Sequence, residues 1–141
     1  MAEAAPSESH TSKPNLSGRR ILIVDDDQLL LKALEMRCRS AGLSVDTAGD
    51  AEQTMAKIAG EVPDLVIVDQ NLADVDGFKL IEMICKRRYP AIPVIMFTGS
   101  SDATSMERCK KLGAHYLHKG IGSWEQLETL LYDLLGNLPE H

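Results

Sequence analysis

Cysteine is scarce in this chain, and its few instances form no pattern. Cys38, Cys85 and Cys109 show neither CxxC nor Cys/His ligand spacing, which argues against a disulfide framework or a zinc site. All three fall in apolar helical patterns, so they are expected to be small core residues in a reducing compartment. No window approaches the roughly 20 apolar residues of a membrane span, and the amino terminus lacks the apolar stretch of a signal peptide. A cytoplasmic protein without a membrane partner is expected. Positive charge is in deficit: 15 Lys and Arg stand against 21 Asp and Glu, for a formal net charge of -6. Affinity for phosphate backbones comes from clustered Lys and Arg, so no direct nucleic-acid binding is expected and any DNA role needs another domain. Neither GxGxxG nor GxxxxGK[ST] follows an apolar run, so the two common phosphate loops of nucleotide-binding sheets are missing.

What is present suits one globular domain. At 141 residues, 44% apolar and 26% charged, the chain has enough material for a core without disulfides or structural metal. Residues 1–18 carry one large aliphatic after Met1, Leu16, and are expected to form a flexible tail in which Ser7 and Ser9 are solvated linker residues. Residues 138–141 form a short C-terminal tail. The domain is expected over 19–137.

Within it, strand-like and helix-like segments alternate. Arg20–Val24 is the first apolar run; Leu30, Ala33, Leu34, Cys38 and Ala41 then recur at helical spacing until Gly42 stops the helix. Leu43–Ala48 is more polar, as an edge strand would be. Asp50 caps a second helix with Gln53 three residues on, over a stripe of Ala51, Met55, Ile58 and Ala59. Asp64–Val68 is the third strand. Asp76 and Gly77 open a helix through Phe78, Ile81, Ile84 and Cys85, which ends in Arg87 and Arg88. Pro90 and Pro93 bound a loop, Ile92–Phe97 is the fourth strand, and a weakly striped helix (Ala103, Met106, Cys109) runs from about Ser101 to Leu112. Ala114–His118 is the last strand, and Leu127, Leu130, Leu131, Leu134 and Leu135 form the clearest helical seam. Five such units imply right-handed crossovers and a five-stranded parallel sheet with helices on both faces, a doubly wound α/β fold.

The polar residues that end the apolar runs carry the functional argument. Asp25 and Asp26 follow ILIV, Asp69 follows LVIV, Thr98 follows VIMF and Lys119 follows AHYLH. In an open α/β sheet these carboxyl ends share one edge, where ligands bind. At an effective dielectric near 20, two carboxylates about 4 Å apart repel by about 4 kcal/mol, so three together need a counter-cation or a proton. Oxygen-only ligands select hard cations, Mg²⁺ above all. An acid, a metal and a lysine around an open position describe a phosphoryl-transfer site.

ILIVDDD, VIVDQNLADVDGF, VIMFTGS and YLHKG, in this order and at these separations, resemble the receiver domain of two-component response regulators over about Arg20–Leu135. The resemblance implies a flavodoxin-like strand order 2-1-3-4-5. It implies that Asp69 accepts a phosphoryl group from a phosphohistidine. Mg²⁺, with Mn²⁺ as a substitute, would be held by Asp26, by Asp25 partly through water, by Asp69 and by the backbone carbonyl of Asn71. Thr98, Gly99 and Lys119 would bind the phosphoryl oxygens, and Tyr116 would act with Thr98 as the switch. The implied donor is a histidine kinase or a histidine phosphotransfer protein; the implied recipient is a downstream effector or an output domain outside this chain. The result is a phosphoacceptor regulator rather than an enzyme. Two positions depart from the pattern: Gly120 stands where a proline is usual after the lysine, so a looser loop around Lys119 is expected, and Ala73 replaces a common proline in the more variable loop after the acceptor strand.

Two rival functions are tested by the same residues. A haloacid dehalogenase-type phosphohydrolase also uses a strand-end aspartate, but its DxDxT[LV] pattern is not met by Asp25, Asp27, Gln28 and Leu29. A binding module that keeps the fold without taking phosphate is the other. Among neighbouring polar residues, Asp27 and Asp76 are expected to be helix caps, Asp74 a solvated loop acid, and His118 a packed or solvated strand-end residue. Trp124 is expected either to pack over the last helix or to anchor a partner.

Overall fold

Each apolar run closes into the sheet beside a partner that buries it. In the computed structural model, which describes residues 16–86, 92–100 and 102–136, the strands are β1 Arg20–Val24, β2 Ser44–Ala48, β3 Leu65–Val68, β4 Val94–Thr98 and β5 His115–His118. All pairings are parallel, in the order β2-β1-β3-β4-β5. The helices are α1 Gln28–Ser40, α2 Ala51–Gly60, α3 Gly77–Cys85, α4 Ala103–Lys111 and α5 Ser123–Leu135.

Alternation along each strand divides the core in two. Ile21, Ile23, Ile67, Ile95 and Phe97 point to the face covered by α1 and α5, where they meet Leu31, Leu34, Cys38, Leu127, Leu131 and Leu135. Leu22, Val24, Val66, Val68 and Met96 point to the opposite face and pack on Ile58, Phe78, Ile81, Ile84 and Cys109 of α2, α3 and α4. Every residue of β3 and β4 is buried, as expected of central strands covered on both sides.

Aspartate starts four of the five helices. Asp27 accepts from the N–H groups of Leu29 and Leu30 at 3.1 and 3.2 Å, Asp50 from Gln53 at 2.8 Å, Asp76 from Phe78 at 2.8 Å and Asp102 from Ser105 at 2.7 Å. Each satisfies helix donors that would otherwise lack a partner. α5 starts instead from Gly122, at φ +80° with no side-chain cap. Gln53 does reach back, but to the N–H of Gly49 at 3.1 Å, one residue before the expected partner.

Several sequence expectations are corrected. Leu16, assigned to the tail, is 1% exposed and belongs to the α1/α5 core, because the turn at Ser17 and Gly18 folds it under the sheet. Cys85 is exposed: it is the last residue of α3, past the turn in which Ile81 and Ile84 are covered. Ala33 and Ala59 are also exposed; Leu31 in α1 and Thr54 in α2 take the inward positions instead. In α4, Ala103 and Met106 face solvent and the buried pair is Ser105 and Cys109. β2 begins at Ser44 rather than Leu43, β3 at Leu65 rather than Asp64, β5 at His115 rather than Ala114, and β4 spans Val94–Thr98 rather than Ile92–Phe97. Ser7, Ser9, Arg87, Arg88, Pro90 and Ser101 lie outside the described residues.

Candidate functional site

Main-chain bonds at the sheet edge determine where the acids emerge. The Asp25 N–H donates to the Ala48 carbonyl at 3.1 Å and the Asp69 N–H to the Val24 carbonyl at 2.9 Å, so each aspartate is the first residue beyond its strand and still locked to the neighbouring one. Asp25 is 3% and Asp69 8% exposed, while Asp26 is exposed. One carboxylate oxygen from each of Asp25, Asp26 and Asp69 lies within 4.8 Å of the others. The three residues predicted to share a cation are therefore together.

Lys119 enters this cluster from the far end of the sheet. Its backbone N–H donates to the Thr98 carbonyl at 2.7 Å, and its Nζ lies 2.9 Å from Asp25 Oδ2 and 3.3 Å from Asp69 Oδ1. With Gly120 after it, the lysine still reaches both acids. The other Asp25 oxygen accepts from the Asp27 N–H at 2.9 Å. Burial pushes the Asp69 carboxyl above its ordinary value, and the negative charge of Asp25 adds to this; the charge and hydrogen bond of Lys119 and a backbone bond from Gln70 oppose it. One ammonium against three carboxylates leaves a deficit of positive charge that a divalent cation would fill, and the donor atoms are all oxygen. The residues present fit such an ion.

Thr98 lies at the same edge, fully buried, with its Oγ1 accepting from the Ser100 N–H at 3.2 Å. A hydroxyl that accepts there keeps its own proton free to donate. Gly99 is exposed, and a Cβ placed on it would meet nothing within 4 Å, so the turn after β4 has room for a ligand. Tyr116 is half-buried and donates its hydroxyl to the Ser100 carbonyl; burial, with Asp102 and Cys109 nearby, raises its pKa. Asn71 is exposed in the loop after β3 and forms an isolated bridge with Asp76, which orients the main chain whose carbonyl was predicted as a ligand.

Other residues about this edge were not singled out from sequence, or were assigned a plainer role. Gly77 opens α3 against the end of β3: its N–H donates to the Gln70 carbonyl at 2.7 Å, and a Cβ there would collide with the Asp69 carbonyl oxygen and stand 2.8 Å from Gln70 Cα. Only glycine allows this approach. Asp74, expected to be merely solvated, accepts from the Ala51 N–H at 3.0 Å and so caps α2 from another loop. His118 Nε2 lies 3.0 Å from the Gly99 carbonyl. Gln70 and Ser105 join across the β3–α4 junction at 3.2 Å. Ser105 had one legible signal: it sits four residues before Cys109, on the same helical face. Trp124 packs against the α1/α5 core beneath the Arg37 guanidinium, 5.2 Å from its ring centre.

The sequence of residues 21–131 matches the family model described as response regulator receiver domain. The chain is 36% identical over 116 residues to the transcriptional regulatory protein GltR of Pseudomonas aeruginosa, covering 81% of this chain and 48% of that protein. It is 33% identical over 100 residues to the DNA-binding transcriptional regulator NtrC of Salmonella typhimurium, covering 70% of this chain and 21% of that protein. The chain thus spans half or less of these curated relatives. Among solved structures it resembles a CheY-like response regulator receiver domain protein of Methanospirillum hungatei (TM-score 0.74, 32% identity, 82% of this chain and 93% of that one). It also resembles the response regulator TrrA of Thermotoga maritima in complex with Mg²⁺-BeF (TM-score 0.73, 26% identity, 83% and 99% covered). Sheet order, the acidic edge and these matches agree: the chain belongs to the receiver domain family of two-component response regulators.

Proposed function

We propose that Asp69 is the phosphoacceptor of this receiver domain and takes its phosphoryl group from the phosphohistidine of a histidine kinase or a histidine phosphotransfer protein. The observation that carries this reading is the triad of carboxylates with Lys119 inserted between Asp25 and Asp69. An Asp69 carboxylate oxygen attacks phosphorus, the P–N bond to the donor histidine breaks, and the imidazole leaves with its electron pair and takes up a proton. Asp25, Asp26, Asp69 and the Asn71 carbonyl would hold Mg²⁺, or Mn²⁺ in its place, which when bound neutralises charge spread over the transferring oxygens. Lys119 would exchange its contact with Asp69 for one with a phosphoryl oxygen. Thr98 would donate its hydroxyl proton to a second oxygen while still accepting from Ser100, with the Gly99 turn closing over the group. Tyr116, bonded to the Ser100 carbonyl, would follow that movement, so the surface around β5 reports the state of Asp69.

The reader of that surface would be a downstream protein or an output domain outside this chain. The domain would act as a regulator in the cytoplasm that takes part in its own phosphoryl transfer without turning over a separate substrate. No helix among the described residues is long and apolar enough to cross a membrane. Acetyl phosphate with Mg²⁺ tests it: intact-mass spectrometry should find one added phosphoryl group on the wild type and none on Asp69→Asn. A wild type that stays unmodified under saturating donor would favour a phosphate-free binding module, and sustained hydrolysis of a generic phosphomonoester would favour a hydrolase.

A further inference from the structure

Gln70 touches the proposed phosphoacceptor through its main chain and α4 through its side chain. Its backbone bond favours the ionised Asp69 carboxylate. Its Nε2 donates to Ser105 Oγ at 3.2 Å, across 35 positions of sequence. The Ser105 hydroxyl in turn donates to Asp102 Oδ2 at 3.1 Å, and Asp102 Oδ1 caps the Ser105 N–H at 2.7 Å. A continuous chain therefore runs from the residue beside Asp69 to the cap of α4.

The seating of α4 makes this chain consequential. Its buried residues are Ser105 and Cys109, while Met106 is half exposed. Cys109 is its one apolar residue in the core; the Cys109 thiol also donates to the His115 carbonyl at 3.3 Å, and the Arg108 guanidinium lies 4.3 Å above the Phe78 ring. A helix with so little apolar face takes its position from such contacts rather than from burial. Gln70 Oε1, meanwhile, is buried with no hydrogen-bond partner among the described residues. A buried acceptor left without a partner is destabilising, and an apolar side chain of similar size would avoid that penalty. The amide thus serves the link to α4 at the expense of stability.

We propose that Gln70 is a positioning residue that ties α4 to the phosphoacceptor, so that a change at Asp69 is passed to the start of α4 through Ser105 and Asp102. This rests on the reading of Asp69 given above, and the test separates the two. Amide hydrogen exchange of the full chain is compared for wild type, Gln70→Leu, Ser105→Ala and the double variant. Each substitution should speed exchange in the first turns of α4 by about tenfold and leave β1 and β3 unchanged, the double variant doing no more than either alone. The urea midpoint of Gln70→Leu should equal or exceed that of wild type, which a purely structural role would lower. With Mg²⁺ and beryllofluoride, whose loading is followed by fluorine NMR, wild type should alter α4 exchange and Gln70→Leu should lose at least half of that change at full loading. Unchanged α4 exchange in Gln70→Leu, or effects that multiply in the double variant, would overturn the tie. Failure of wild type to load would overturn the phosphoacceptor reading, while the exchange of the unliganded variants still decides the tie.

Discussion

At the scale of single residues, Asp69 is held in a state that opposes its own charge. Its carboxyl is raised above the usual range by burial first and by Asp25 second. For an acid of this kind the unfolded form, near 3.8, ionises before the folded one as pH rises. Stability is therefore drawn down across the window between the two values, and the penalty is complete above the folded value. Asp69→Asn should accordingly raise the urea midpoint at pH 7, with the gain shrinking as pH falls towards 3.8 and absent below it. A midpoint at pH 7 that drops on this substitution would mean that Lys119 outweighs burial and Asp25. The strand-end acids, Thr98 and Lys119 were legible from sequence because each ends an apolar run. Gln70 and Gly77 were not: their roles depend on what stands opposite, and local pattern carries no such information.

At the scale of elements, the junction between β3 and α3 is a close backbone approach beside the site. The Gly77 N–H bonds the Gln70 carbonyl at 2.7 Å, and there is no space for a Cβ between the helix start and the backbone of Asp69 and Gln70. Both opposing groups are main chain, so neither yields by rotating a side chain. Gly77→Ala should destabilise the domain by about 1–3 kcal/mol through overpacking, measured by denaturant unfolding. It should also slow modification of Asp69 by acetyl phosphate, since the collision falls on the carbonyl of Asp69 itself. Helix starts were legible at Asp27, Asp50 and Asp76, because capping is a contact over two or three residues, whereas the Asp102 cap of α4 was not read from the sequence. Nor was the inward face of α4. Its stripe mixes Ser105 and Cys109 with polar neighbours, and only the position of β5 and the loop after β3 selects which side is buried. Cys85 was misplaced for a related reason: a thiol at the end of a short helix is core or surface according to where the helix stops.

At the scale of the molecule, folding itself brings the three carboxylates together. Asp25, Asp26 and Asp69 are separated by up to 44 positions and meet only when β1 and β3 pair, so an ion that binds the cluster binds the folded state alone. Mg²⁺ at one hundred times its dissociation constant should stabilise the wild type by about 2.7 kcal/mol, seen as a rise in the thermal midpoint that EDTA reverses. Asp69→Asn should lose most of that rise. No response to Mg²⁺ in the wild type would count against the cation site itself.

By itself the sequence determined the alternation of strands and helices, the two-sided burial of β3 and β4, and the residues that stand at the carboxyl ends of the strands. These follow from hydrophobic period and from where each run stops, both of which are properties of neighbours in the chain. Tertiary structure alone decided that Lys119 reaches Asp25 and Asp69, that Leu16 joins the core, that Asp74 caps α2, and that Gln70 is bonded to Ser105. Each of these is a contact between segments far apart in sequence, whose energy depends on distances that exist only once the sheet has closed.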